Sequence, residues 1–266
     1  MPEGPECKIT AEYLSKLLVN KNIVDWVFSG GKYTEDNPVG FNNFDDSLPM
    51  EVRKVYNKGK VIFFELVDKD GKEYFIFHNL MTSGSWQLEY NKSCKWFVEI
   101  DNNKTLWFKD TRGYSTLQFT DSRDDLLCKL DEMGPDILST DFSLDFMKEV
   151  IKKYKNRNIT SFLMDQRVMA GCGNYLKSEA LHYAGISPLR KVGDLSEREI
   201  ELLYEGLIVT SRISYNYNGL DTKTFSNGCG KNGFFQNKLT IYNQKGAKKT
   251  KTPDGRITYW NPKKQV

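Results

Sequence analysis

Residues 165–189, DQRVMAGCGNYLKSEALHYAGISPL, contain the clearest structural signal in the chain. A helical pattern over 159–169 runs into two glycines, and a second helical pattern, NYLKSEALHYA (174–184), begins directly after them. A third glycine and then a proline follow, as is usual where a helix ends. The stretch therefore predicts two helices joined by a tight turn.

The chain on the N-terminal side of this turn is rich in strand patterns. Residues 59–80 and 94–119 each contain two β-rich runs, which flank Asp70-Gly71 and Asn102-Asn103. Such pairs favour hairpin turns. The first ~130 residues therefore predict an antiparallel sandwich or flattened barrel. MGPD (133–136) interrupts the pattern and indicates a linker.

Helical patterns continue on both sides of the turn. DFSLDFMKEVIKKYK (141–155) precedes it, and SEREIELLYEGLIVTSRI (196–213) follows it with a capping box formed by Ser196 and Glu199. The last stretch, 238–260, predicts two short strands around Asp254-Gly255. The chain is thus of the α+β class.

Composition and charge exclude several kinds of protein. The 39% share of hydrophobic residues is typical of a soluble globular protein, and no apolar run is long enough to span a membrane. Five scattered cysteines without a CxxC pair argue against a disulfide framework and favour a reducing compartment. Nine Lys/Arg and one Asp over 231–266 make this segment basic, and interleaved aromatic residues suit a nucleic-acid backbone. A solvated, lysine-rich surface is the alternative.

The N-terminal sequence MPEGPE allows two interpretations. Pro5 in the first turn of a helix and Glu6 near its positive end would be a purely structural helix start. If Met1 is removed, Pro2 instead carries a secondary α-amine. Its pKa, near 8, leaves a useful fraction as an uncharged nucleophile. The structural interpretation does not explain Pro2 and Glu3.

Four blocks together resemble the Fpg/Nei family of DNA glycosylases, which comprises formamidopyrimidine-DNA glycosylase and endonuclease VIII. They are PEGPE (2–6), the helix–turn–helix stretch 165–189, GKNGFFQNKLTIYNQKG (230–246) and DGRITYWNPKKQ (254–265). The four lie in the family's order and span nearly the whole chain.

The resemblance implies how the chain is organised. We expect an N-terminal catalytic β-sandwich domain with an N-terminal helix (1–133), a linker and the start of the helical domain (134–150), a helix–two-turn–helix domain (151–226) and a β-hairpin finger (227–266). Many family members hold this finger with four cysteines and zinc, which are missing here. The chain is therefore similar to the zincless-finger subgroup of Nei-like proteins, which includes giant-virus members, and no metal or other cofactor is expected.

The resemblance also implies catalytic roles. Pro2 would attack C1′ of a damaged nucleotide, and Glu3 would act as general acid/base. Lys60 would hold a phosphate beside the lesion, with Lys58 as a rival and a surface lysine as the alternative. Glu6 is expected to be structural and to brace the helix start.

Seven further residues are expected to bind DNA. His78 would contact phosphate, and Met81 would wedge into the base stack, with ordinary core packing as its alternative. Arg112 would face the orphaned base beside Tyr114. Asn174 would bind phosphate at a helix N-terminus or act only as a helix N-cap. The remaining two residues, on or near the finger, would bind the backbone next to the lesion: Tyr242 and Arg256.

The function that follows is a bifunctional DNA glycosylase and abasic lyase that removes oxidised pyrimidines and ring-opened or hydantoin purines. We expect a monomer that acts on double- or single-stranded DNA inside the cell, neither secreted nor membrane-bound. The loop over 214–233 would line the pocket for the damaged base. A catalytically silent DNA-binding protein of the same fold and a ribosome- or RNA-associated basic module are the alternatives.

Overall fold

The computed structural model describes residues 2–101, 103–221 and 233–266. Three predicted features therefore lie wholly or partly outside the described residues: the Asn102-Asn103 turn, the base-pocket loop and the boundary of the finger at 227. The helices are α1 Gly4–Leu18, α2 Phe41–Asp45, α3 Arg123–Asp131, α4 Leu144–Lys153, α5 Ile159–Met164, α6 Asn174–Ala184 and α7 Glu197–Asn216, with short 3₁₀ helices at Lys32–Thr34, Val192–Asp194 and Phe235–Lys238. The strands are β1 Asn22–Phe28, β2 Met50–Lys58, β3 Val61–Val67, β4 Glu73–Asn79, β5 Gly84–Gln87, β6 Cys94–Ile100, β7 Lys104–Asp110, β8 Thr116–Thr120, β9 Lys248–Lys251 and β10 Ile257–Trp260.

The first eight strands form one antiparallel sheet in the order β5-β7-β6-β1-β2-β3-β4-β8. Trp26, on a central strand, contacts side chains from both edge strands. Its ring centroid lies 6.1 Å from that of Trp86 on β5 and 5.4 Å from that of Phe119 on β8. The sheet must therefore curl until its edges face each other, which confirms the expected sandwich.

The C-terminal domain is helical and has a separate apolar core. Apolar residues of α5, α6 and α7 are buried there, including Phe162, Leu176 and Leu203. The α6 and α7 predictions are confirmed: α6 spans 174–184, and Ser196 and Glu199 form the capping box of α7. Among the described residues, no helix combines the length and apolar character that a membrane span needs.

One helix prediction was wrong in its end, and one helix of nine residues was not predicted. The helix expected over 159–169 ends at Met164, because the chain turns at Asp165 and the Gln166 side chain then binds backbone groups of the turn. It donates to Cys172 O at 2.9 Å and accepts from Gly171 N at 2.9 Å. Helix α3 was not expected at all, since its charged sequence has only one buried residue.

The last two strands form the expected hairpin around Asp254-Gly255. Strands β9 and β10 pair antiparallel in a separate two-stranded sheet. The hairpin packs against α6 of the helical domain.

Candidate active site

The carboxyl group of Glu3 caps helix α6 from outside the helix. Its Oε1 accepts from Tyr175 N at 2.9 Å, and its Oε2 accepts from Leu176 N at 3.2 Å. Both are free amides of the first helical turn, where a carboxylate is favoured. The N-terminal pair Pro2-Glu3 therefore lies against the glycine-containing turn that precedes α6.

Gly173 makes this approach possible. A Cβ at position 173 would lie 2.1 Å from Glu3 Cδ, far inside van der Waals contact. The second glycine of the turn thus provides the space that the carboxyl group occupies.

Burial is the main influence on Glu3. It raises the pKa of the carboxyl group to about 7. The nearby charge of Lys60 acts to lower this pKa, and the nearby Glu6 carboxylate acts to raise it. A carboxyl group with a pKa near neutrality is present in both protonation states at pH 7, which suits general acid/base chemistry.

Glu6 joins the two domains. Its completely buried carboxylate accepts from Glu3 N at 2.8 Å, from Tyr175 Oη at 2.9 Å and from Leu220 N at 2.8 Å. Ser214 Oγ donates to it as well, at 3.2 Å. These four donors occupy the carboxylate, and two of them come from the helices of the other domain.

Lys60 follows a tight turn that is pinned to the other domain. Gly59 N donates to Asp136 Oδ2 at 2.7 Å, and a Cβ at Gly59 (φ +54°) would lie 2.6 Å from Ala170 Cβ. Lys60 faces a cavity beyond this turn. Its rival Lys58 instead donates to Leu130 O at 2.6 Å, so the geometry favours Lys60.

The cavity has a volume of about 700 Å³ and takes its walls from both domains. Pro2, Lys60, Met81 and Arg256 all line it. Four of the residues expected to act on DNA are thus brought together, although they are separated by up to 254 positions in the chain.

Met81 and Arg112 lie on neighbouring loops that share a buried anchor. The Asp110 carboxylate accepts from Ser83 Oγ, from Ser115 N at 2.8 Å and from Arg112 N at 3.1 Å. Although burial opposes the effect, these hydrogen bonds hold the pKa of Asp110 below its ordinary value. The anchor leaves the Met81 side chain 45% exposed, so Met81 is not part of the core.

Tyr114 lies on the same loop as Arg112, and both side chains are exposed. Neither lines the cavity. Both side chains therefore lie outside the cavity wall, and their contact with the opposite strand stays a prediction.

His78 does not lie on this surface, so its predicted phosphate contact is wrong. The imidazole has no exposed area and packs among aromatic rings, with its centroid 4.7 Å from that of Phe108 and 5.6 Å from that of Trp96. Burial lowers its pKa to about 3, so the ring is neutral at pH 7. On the pleated strand β4, the side chain at position 78 points into the sandwich. The predicted phosphate contact rested on the sequence motif alone.

Asn174 and Tyr242 lie where α6 meets the hairpin. Asn174 is the first helical residue and Gly173 is the N-cap, so the N-cap alternative for Asn174 is wrong. Its Nδ2 donates to Ile257 O at 3.0 Å, whereas its buried Oδ1 has no partner among the described groups. Burial raises the pKa of Tyr242, whose hydroxyl therefore stays protonated.

Sequence reasoning missed the polar residues of α6 that hold other segments in place. Lys177 forms an ion pair with Asp254, and Glu179 accepts from Ile241 N at 2.9 Å and Tyr242 N at 2.7 Å. One signal pointed to the first pair: Asp254 is the single acidic residue of the basic segment 231–266. Across residues 2–101, 103–221 and 233–266, no group of three or more Cys, His, Asp or Glu side chains could hold a metal ion.

Comparisons with known proteins agree with this architecture. The model of the formamidopyrimidine-DNA glycosylase N-terminal domain matches residues 1–117, and that of the formamidopyrimidine-DNA glycosylase H2TH domain matches residues 133–224. A formamidopyrimidine-DNA glycosylase of Halalkalibacterium halodurans is 28% identical over 253 residues, which cover 92% of this chain and 90% of that relative.

Two solved structures show the same fold. The MutM (Fpg) protein from Thermus thermophilus has a TM-score of 0.85 at 24% identity, over 99% of this chain and 98% of that one. A complex between the Lactococcus lactis Fpg and DNA containing an abasic site has a TM-score of 0.85 at 23% identity, over 99% of both chains.

The paired domains and the matches define the class as a DNA repair glycosylase with an H2TH DNA-binding domain. More narrowly, the chain belongs to the formamidopyrimidine-DNA glycosylase (Fpg) family of bifunctional glycosylases and abasic-site lyases.

Proposed function

We propose that the protein excises oxidised pyrimidines and ring-opened or hydantoin purines from DNA, through a Schiff base on Pro2. The observation that carries this proposal is the position of Pro2 in the cavity wall, with the Glu3 carboxyl group immediately behind it on the α6 N-terminus. The Lactococcus lactis relative bound to DNA with an abasic site supports the class of ligand.

The first chemical step uses the Pro2 amine, which is free once Met1 is removed. Its lone pair forms a bond to C1′, and the glycosidic bond breaks with its electrons leaving on the base. The ammonium formed on Pro2 loses its N–H proton, which the departing base takes up. Glu3 then protonates the sugar ring oxygen while the Pro2 lone pair forms a C1′=N double bond and the C1′–O4′ bond breaks, which opens the ring and leaves a C1′ iminium on Pro2. Glu3, with a pKa of about 7, is protonated often enough to serve as this acid.

The iminium then drives strand cleavage. It withdraws electrons and acidifies the C2′ protons; loss of one proton expels the 3′ phosphate by β-elimination. A second elimination releases the 5′ phosphate. Lys60 and Arg256 line the same cavity and would hold the phosphates on either side of the sugar.

Flipping the nucleotide out of the duplex leaves a gap in the stack. Met81 is exposed at the cavity edge and would fill that gap, while Arg112 and Tyr114 would contact the opposite strand. Asn174 and Tyr242 would bind the backbone where α6 meets the hairpin.

We also place the chain in the zincless-finger subgroup. The segment 231–266 contains no cysteine and no histidine, so the hairpin offers none of the usual zinc ligands.

Excision kinetics test the proposal. Duplexes with one oxidised pyrimidine or one hydantoin should be cut on both sides of the lesion, and the undamaged duplex should stay intact. Glu3→Gln should slow excision by about 100-fold or more, the usual scale of a general acid. Glu73→Gln is the matched control, since Glu73 pairs with Arg123 and neither residue lines the cavity. Tight binding of lesion DNA without any excision would instead identify a silent DNA-binding protein.

A further inference from the structure

Lys177 and Asp254 form a buried ion pair between α6 and the turn of the hairpin. Lys177 Nζ lies 2.5 Å from Asp254 Oδ2, and the two side chains are 0% and 2% exposed. Burial lowers the pKa of Lys177. Burial would raise the pKa of Asp254, but the hydrogen bonds from Lys177 and Thr252 bring it below its ordinary value. Lys177 and Asp254 therefore form an ion pair that is buried and not exposed to solvent.

The hairpin turn is built around this carboxylate. Thr252 Oγ1 donates to Asp254 Oδ1 at 2.5 Å, and the Thr252 and Thr258 hydroxyl groups lie 2.7 Å apart. Thr252 N donates to Arg256 O at 3.0 Å. The backbone of Arg256 is therefore part of the turn that Asp254 organises.

Helix α6 attaches to the hairpin along a single face. Asn174, Lys177 and Ser178 are spaced three and four residues apart, so they share that face. Asn174 Nδ2 donates to Ile257 O at 3.0 Å, and Ser178 Oγ accepts from Tyr259 N at 3.5 Å. Along α6 the ion pair lies between these two neutral contacts, and along the hairpin it is the contact nearest to the turn.

We infer that the Lys177–Asp254 pair fixes the hairpin to α6, in a chain whose segment 231–266 contains no cysteine or histidine, and so positions Arg256 at the cavity. Removal of one charge leaves the other buried without its opposite charge, which favours undocking of the turn. Lys177 and Asp254 are positioning residues that act through Arg256. The catalytic part of this inference rests on the proposed function; the docking part does not.

The test compares Lys177→Met with Arg256→Gln in two reactions of the same protein. One is excision of an intact lesion, and the other is cleavage at a preformed abasic site. Lys177→Met should lower the ratio of excision to abasic cleavage by about 10- to 100-fold, the usual effect of misplacing a positioning group. The double variant should lower this ratio no further than Arg256→Gln alone, because both changes remove the same contact.

Limited trypsin digestion measures docking independently of activity. The hairpin carries the exposed residues Lys248, Lys249, Lys251 and Arg256, and trypsin can cut beside them only where the hairpin backbone opens locally, which undocking favours. Lys177→Met should speed cleavage within 248–256 by about 10-fold, while the helical core stays intact. Asp254→Asn, which removes the charge but keeps the side-chain shape, should act in the same direction and serves if Lys177→Met fails to fold.

Lys148→Met is the matched control. Lys148 pairs with Glu201 in the same domain, at 3.6 Å and with both side chains about one-third exposed. It should change neither the ratio nor the digestion. An equal loss of both reactions, additive effects with Arg256→Gln, or unchanged digestion of the hairpin would overturn the inference. If wild-type protein cleaves no DNA at all, the proposed function fails and digestion alone decides the docking.

Discussion

At the scale of the residue, Glu3 shows how the fold sets a chemical property. Its carboxyl group is buried beside Glu6, which favours the neutral form, yet it accepts two amides and lies near Lys60, which favour the charged form. Burial dominates, and the pKa rises to about 7. Because this pKa is close to 7, the carboxyl group can both donate and accept a proton at neutral pH.

This pKa predicts a pH-dependent stability. Because the pKa of Glu3 is about 7 in the folded protein and 4.5 ordinarily, the folded state keeps a proton that the unfolded state has already lost between these values. Stability therefore falls as pH rises from 4.5 to 7, by on the order of 3 kcal/mol. Glu3→Gln removes this pH-dependent loss of stability. The melting temperature of the variant minus that of the wild type should therefore rise between pH 4.5 and pH 7. If the melting temperatures of the two proteins change with pH by the same amount, the raised pKa of Glu3 is contradicted.

Met81 predicts a difference between duplex and single-stranded substrates. It is exposed and has φ +54°, a backbone conformation that costs energy for a residue other than glycine. Met81→Ala should slow excision from duplex DNA by roughly 10-fold, since the gap in the stack is left empty, and should spare single-stranded DNA. Leu88→Ala, another exposed apolar residue away from the cavity, is the control. Equal losses on both substrates would rule out the wedge.

At the scale of the element, the turn before α6 has to accept the Glu3 carboxyl group. Gly173→Ala would place a Cβ 2.1 Å from Glu3 Cδ. It should cost about 1–3 kcal/mol of stability and displace the acid, so excision should fall far more than stability alone explains. Gly71→Ala is the control: the alanine is strained by the backbone conformation, at φ +82°, but its Cβ has nothing within 4 Å. Excision and melting temperature are measured together, and equal excision by the two variants would contradict the role of the turn.

Elements with local signals were predictable from the sequence. The α6 bounds and the capping box of α7 depend on glycines, a serine and a glutamate close in the chain, and the structure confirms them. The positions of Pro2, Lys60, Met81 and Arg256 around one cavity came from family motifs and not from periodicity. His78 failed because a motif does not report which face of β4 a residue occupies. The Lys177–Asp254 pair joins positions 77 apart, and no local pattern encodes such a contact.

At the scale of the whole molecule, two domains meet at the N-terminus. Glu6 binds donors from α6, α7 and the segment after α7, and Tyr215 Oη donates to Glu12 Oε2 at 2.8 Å. The cavity lies where these domains meet, so each contributes part of the candidate DNA surface.

That surface predicts a defined dependence on salt. With Lys60 and Arg256 as charged phosphate contacts, the logarithm of the DNA-binding constant should fall against the logarithm of salt concentration with a slope of about −1.8. Affinity should drop roughly 12-fold between 50 and 200 mM salt. Arg256→Gln should make the slope shallower by about 1, and Lys148→Met should leave it unchanged. Fluorescence anisotropy measures both, and a slope near zero would exclude this surface.

The central claim is that the Pro2 amine is the nucleophile. Borohydride reduction with an oligonucleotide that carries one abasic site, followed by digestion and mass mapping, tests it most directly. We expect a covalent adduct on the peptide that begins at Pro2, and none from a chain that retains a residue before Pro2. An adduct on Lys60 or another lysine, or no adduct from protein that has lost Met1, would contradict the account.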